Sequence, residues 1–124
     1  MQVGDVVLFY REQAGYKKFH LCVCIQDSSY FLFINSPKLK NFAGDFLIDA
    51  SAIPFLEPTK QGYSIISCNR LLRFSTSDMR KQKTIIKGQI NKKIIKKLMA
   101  FIDESTLLNE TEKVIAIEGL SSSL

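Results

Sequence analysis

The chain has 124 residues, 46% of them apolar, with 17 Lys/Arg against 12 Asp/Glu and a net charge of +5. This composition excludes a disordered polar chain, and no apolar run reaches the ~18 residues that a membrane span requires. Three cysteines form no disulfide framework, and Met1–Asp5 has neither the basic start nor the apolar core of a signal peptide, so the sequence predicts one cytoplasmic domain over residues 1–124.

Gly4-Asp5 leads into an apolar run, Val6–Tyr10, that reads as a first strand. A polar insert, Arg11–Lys18, separates it from a second apolar stretch, Phe19–Asp27. There Phe19, Leu21, Val23 and Ile25 share one face, predicted as core, and His20, Cys22, Cys24 and Gln26 share the other. Asp27-Ser28-Ser29 breaks the run, so Tyr30–Ser36 is expected to pair back as a hairpin. Phe46–Asp49 is a short strand. Pro54 and Pro58 mark an irregular connection ending at Gly62. Tyr63–Cys68 reads as a strand that can extend through Leu71-Leu72, and Thr84–Lys87 as one more before Gly88. The period then changes. Asn91 caps a helix to about Asp103, whose stripe of Ile94, Ile95, Leu98, Met99, Phe101 and Ile102 predicts core packing. Asn109-x-x-Glu112 is the capping pattern of a last helix through Ile117, ended by Gly119. Strands followed by helices predict a mainly β, α+β fold: a small, strongly bent SH3-like barrel over about residues 1–90, with helices of about 91–119 packed on it.

Charge is unevenly placed. Residues 1–69 carry six Lys/Arg and six Asp/Glu; residues 70–97 carry ten Lys/Arg and one acid, Asp78; residues 98–124 carry one Lys and five acids. The middle block suits phosphates or an acidic partner, and equally a lysine-rich solvated helix face. Arg70, Arg73, Arg80 and Lys81 are candidate RNA contacts. For Arg70 and Arg73 the competing reading is protection of a strand edge by charge.

Gly4-Asp5, then Glu12-Gln13-Ala14-Gly15, then the apolar Leu21–Ile25, stand in the order found in the MazF/PemK family of toxin endoribonucleases. Phe33-Ile34-Asn35-Ser36 is similar to that family's strand ending in Thr/Ser. Ser64–Leu71 is similar to its strand ahead of a basic segment, and Lys92–Ile102 to its C-terminal helix. The resemblance covers most of residues 3–103. The family's Arg-Pro is absent: Tyr16-Lys17-Lys18-Phe19-His20 occupies that region, and Lys17, Lys18 and His20 compete for the arginine's place. The resemblance implies cleavage of single-stranded RNA without metal or other cofactor, in a homodimer blocked by an acidic antitoxin.

Such a reaction has the ribose 2′-OH attack the adjacent phosphorus while the 5′ oxygen leaves. It needs a base, an acid, and cations to hold the charge on the phosphorane. The candidate catalytic residues are His20, Lys17, Lys18 and Ser36. His20 has the side chain whose ordinary titration range suits acid and base roles, although a lone histidine on a strand is as readily a packed one. Arg11 and the stacking residue Tyr16 join the candidate RNA contacts. Zinc is excluded at His20, Cys22 and Cys24, because the outer two Cα atoms of such a strand segment stand roughly 13 Å apart. Two other functions stay open on the same barrel: a non-catalytic module that binds RNA or protein, and a relative of the gyrase-poisoning toxins.

Overall fold

The computed structural model describes residues 1–11, 15–40 and 42–124, with Arg11 described by its backbone alone. Glu12, Gln13 and Ala14 lie outside the described residues, as does the Arg11 side chain, so the loop motif behind the family resemblance is described only at Gly15.

Six strands form one antiparallel sheet: β1 (Asp5–Arg11), β2 (Tyr16–Ile25), β3 (Ser28–Asn35), β4 (Asp45–Asp49), β5 (Tyr63–Ser75) and β6 (Ile85–Gln89). They are ordered β4-β5-β3-β2-β1-β6, and the sheet curls strongly into a half-barrel. The mainly β expectation therefore holds. Helix α1 (Thr76–Lys81) continues directly from β5, while α2 (Lys92–Asp103) and α3 (Glu110–Ser121) follow β6. No helix of the described residues is long and apolar enough to cross a membrane.

The alternation of β2 decides what each sheet face meets. Leu21 and Val23 point inward to the main core with Val6, Leu32 and Ile66, where α2 brings Ile95, Leu98 and Ile102 and α3 brings Ala116 and Leu120. The α2 stripe is thus core, and Lys92, Lys93, Lys96 and Lys97 are exposed. Both Asn caps form: the Asn91 side chain accepts from Ile94 N, and Asn109 with Glu112 completes a capping box. Gly119 does not end α3. A Cβ there would collide with the Val23 carbonyl oxygen and Cys24, so this glycine lets the helix lie directly on β2.

The second face of β2 is also covered. Val7, Phe9, Cys22, Phe31 and Leu72 form a separate apolar cluster, closed by Phe33, Phe74 and Met79 of α1. A register shift between Cys22 and Cys24 then changes the alternation, which leaves Ile25 exposed instead of in the core. In β5 the pairing with β3 jumps from Phe33↔Ser67 to Phe31↔Leu72, so residues 68–71 bulge out of the ladder. That bulge hides the strand pattern in the sequence, and β5 runs on to Ser75, well past Leu72.

Gly88 carries no side chain because the Phe55 ring lies over it; a Cβ at that position would overlap three ring atoms. The Pro54–Gly62 connection therefore reaches across to β6, the edge strand opposite β4.

Candidate functional site

The end of the β2–β3 hairpin opposite its turn gathers most of the useful polar groups. Phe19 pairs with Ile34. Continuing that antiparallel register places Lys18 opposite Asn35 and Lys17 opposite Ser36. A cavity of about 570 Å³ at this end is lined by Tyr16, Lys17, Lys18, Phe19, Ile34, Asn35, Ser36 and Lys38. Three of the four catalytic candidates, Lys17, Lys18 and Ser36, therefore meet here, together with Tyr16.

Lys18 is held from several sides. Its Nζ donates to Asn35 Oδ1 at 2.7 Å and lies 4.2 Å from the centre of the Phe33 ring. Asn35 Nδ2 in turn donates to Ser67 Oγ at 2.8 Å. This chain crosses β2, β3 and β5 and fixes the ammonium group at the cavity wall. Lys17 and Lys38 are exposed, and Tyr16 is 57% exposed, with Lys18 Nζ 5.9 Å from the centre of its ring. Lys38 Nζ lies 5.4 Å from the Phe42 ring, which is also exposed.

A second cavity, of about 320 Å³, adjoins the first and shares Phe19, Ile34, Asn35 and Ser36 with it. Its remaining walls are Phe55, Leu56, Glu57, Thr59, Ser64 and Lys87. Sequence reasoning missed Glu57 and Lys87. They lie far apart in the chain and meet only because the Pro54–Gly62 connection folds over Gly88. The one available signal was a glycine in β6 beside a lysine.

His20 is not in this site. It is 0% exposed, and its ring stacks on Phe9 at 3.8 Å between centroids with an interplanar angle of 9°. Phe31 and Phe74 meet it edge-on at 5.8 and 6.5 Å, and Phe33 lies tilted at 5.2 Å. Its alternation on β2 aims it at the second apolar cluster, where no phosphate has access in this arrangement. The structure therefore does not bring His20 together with Lys17, Lys18 and Ser36.

The basic block does not converge on the cavities either, Lys87 excepted. Arg70 sits in the β5 bulge, and Arg73 lies roughly 30 Å of extended strand from Ser64. β4 pairs with β5 only as far as Ser67, so the remainder of β5 has a strand on one side only. The Leu71 N–H is satisfied there by Glu112 Oε2 at 2.9 Å. That geometry favours edge protection for Arg70 and Arg73. Arg80 and Lys81 occupy the last turn of α1, where positive charge complements the helix dipole.

The thiols are buried. Burial pushes Cys22 up to about 12, with Asp5 adding to the effect, and pushes Cys68 to about 12, with Asp45 adding. Cys24 is shifted the same way by burial and then by Glu118. Among the described residues no three His, Cys, Asp or Glu side chains are grouped to hold a metal ion. No family model, no curated protein and no solved structure matches this chain.

Proposed function

We propose that the chain binds single-stranded RNA at the open end of the β2–β3 hairpin and cleaves it in the manner of MazF/PemK-type endoribonucleases, without a metal. The observation that carries this reading is the cavity that collects Lys17, Lys18, Lys38 and Ser36 beside the exposed Tyr16. Three ammonium groups and a hydroxyl suit a phosphate, and an exposed ring suits an unstacked base. In the proposed step the 2′-OH attacks phosphorus and its proton passes to solvent. Lys17 and Lys18 hold the charge on the phosphorane, Ser36 donates to a non-bridging oxygen, and a lysine ammonium delivers a proton to the departing 5′ oxygen. The products are a 2′,3′-cyclic phosphate and a 5′-hydroxyl. The proposal includes a homodimer and an acidic antitoxin that covers the lysines, both carried over from the family resemblance.

A second reading, an RNA-binding module that does not cut, draws on the enclosure of His20. One experiment separates the two. Single-stranded RNA is incubated with the purified chain in EDTA, beside an all-deoxy strand of the same sequence. Cleavage of RNA only, lost in the Lys17→Ala, Lys18→Ala double variant, supports the nuclease. Salt-dependent binding with RNA left intact supports the module.

A further inference from the structure

We propose that the second cavity is a nucleobase pocket that selects guanine, with Glu57 and Lys87 reading the edge of the base. The proposal rests on the RNA reading above and names the specificity of that same site.

The argument begins with size and position. A cavity of about 320 Å³ lies at the small end of ligand sites, suited to one flat ring system. It opens into the lysine cavity across Phe19, Ile34, Asn35 and Ser36. A nucleotide whose phosphate lies against Lys17 and Ser36 has its base directed into the neighbouring space. The walls suit a base as well. Phe19, Ile34, Phe55 and Leu56 offer apolar surface for its faces, and Phe55 is held in place by its seat on Gly88.

Selectivity follows from the two charged groups. Glu57 and Lys87 are both exposed and both line this cavity. A carboxylate offers two acceptors side by side. Guanine offers two donors side by side, N1–H and the N2 amino group, with the O6 and N7 acceptors next to them for an ammonium. Adenine and cytosine place a ring-nitrogen acceptor beside their amino group, which a carboxylate repels. Uracil flanks its single N3–H with two carbonyl oxygens. Guanine is therefore the base whose edge complements both Glu57 and Lys87.

The test titrates the full chain calorimetrically with GMP, AMP, CMP and UMP in turn. GMP should bind about tenfold more tightly than the other three. Glu57→Ala should bring GMP down to about the level of AMP, whereas Lys17→Ala should weaken all four together. Equal affinities for the four, a GMP preference that survives Glu57→Ala, or no binding at all would overturn the pocket. Mapping cuts in a mixed-sequence RNA keeps the two readings apart. Cuts placed without regard to guanine, together with equal titrations, overturn the pocket and leave the nuclease standing. A GMP preference beside uncut RNA keeps the pocket and overturns the nuclease.

Discussion

Replacing His20 distinguishes a histidine that builds the sheet from one that works on RNA. The ring is 0% exposed, stacked on Phe9 at 3.8 Å and met by Phe31, Phe33 and Phe74. His20→Ala removes the ring from a packed cluster that relaxes only partly. Large-to-small changes of this type cost about 2–4 kcal/mol, and the lost ring stack accounts for ~1 kcal/mol of that. For a domain of this length each kcal/mol lowers Tm by roughly 3–5 °C, so the alanine variant should melt roughly 6–20 °C below the parent. His20→Leu keeps most of the volume and should stay within about 1.5 kcal/mol of it. The chain has no tryptophan, so unfolding is followed by circular dichroism. RNA cleavage is then assayed well below both melting points. The expected result is a destabilised alanine variant and a leucine variant that cuts RNA at the parental rate. A general acid or base contributes about 10²–10⁴ in rate. A folded His20→Leu variant that loses 100-fold in cleavage while keeping its affinity for RNA would refute the structural assignment.

Lys17→Ala should weaken binding of single-stranded RNA and reduce the slope of log K against log salt by about 0.7 in an anisotropy titration; an unchanged slope would remove Lys17 from the phosphate site. Glu112 accepts from Leu71 N at 2.9 Å and from Asn109 N at 3.1 Å, so Glu112→Ala should cost about 1–3 kcal/mol in urea unfolding by stripping both the β5 bulge and the α3 cap. Cys22 and Cys68 should resist iodoacetamide in the native chain and react once it is unfolded, because their raised titration keeps them as thiols. The same shift has a pH consequence with a definite sign. Between an unfolded value near 9 and a folded value of about 12, the folded state holds protons that the unfolded state has released. Stability should therefore be full below pH 9 and fall on going above it, by about 1.4 kcal/mol per pH unit for each thiol, as read from urea midpoints; a flat profile from pH 9 to 10.5 would refute it.

Much of the fold was legible because the local signals agree with one another. Runs of β-branched and aromatic residues mark β1 to β4, with alternation in β2, and Asn91 and Asn109 mark the helix starts through side chains that do cap them. The failures have local causes. The bulge at 68–71 breaks the period of β5, and α1 is a six-residue helix whose polar sequence has no apolar stripe to reveal it. The site was half legible for a similar reason. Lys17, Lys18 and Ser36 come to the same end of one hairpin, which the sequence reveals, but the shift between Cys22 and Cys24 moves their register by one residue from the one the turn sets. The role of His20 depends on Phe9, Phe31 and Phe74, from three other strands, and those of Glu57 and Lys87 on a proline-rich connection lying over Gly88. No spacing along the chain encodes such meetings.

The separation between charge and site bears on how a polyanion would be handled. Ten of the chain's 17 Lys/Arg lie in residues 70–97, yet the lysine cavity is built from Lys17, Lys18 and Lys38, which belong to the segment where charge cancels. The basic block is spread over the β5 bulge, the end of α1, β6 and the solvent face of α2. Dispersed charge of this kind raises the local concentration of a polyanion and its rate of arrival, and it is screened within about 10 Å at 0.1 M salt. Contact residues act differently, since each adds a fixed term to affinity. Neutralising Lys93 and Lys97 on α2 should therefore slow RNA association at low salt and leave dissociation unchanged, whereas losses at Lys17 and Lys18 should appear in dissociation. On the proposed reading, the concentration of charge that dominates the sequence is a property of approach, and the proposed chemistry belongs to the quieter hairpin end.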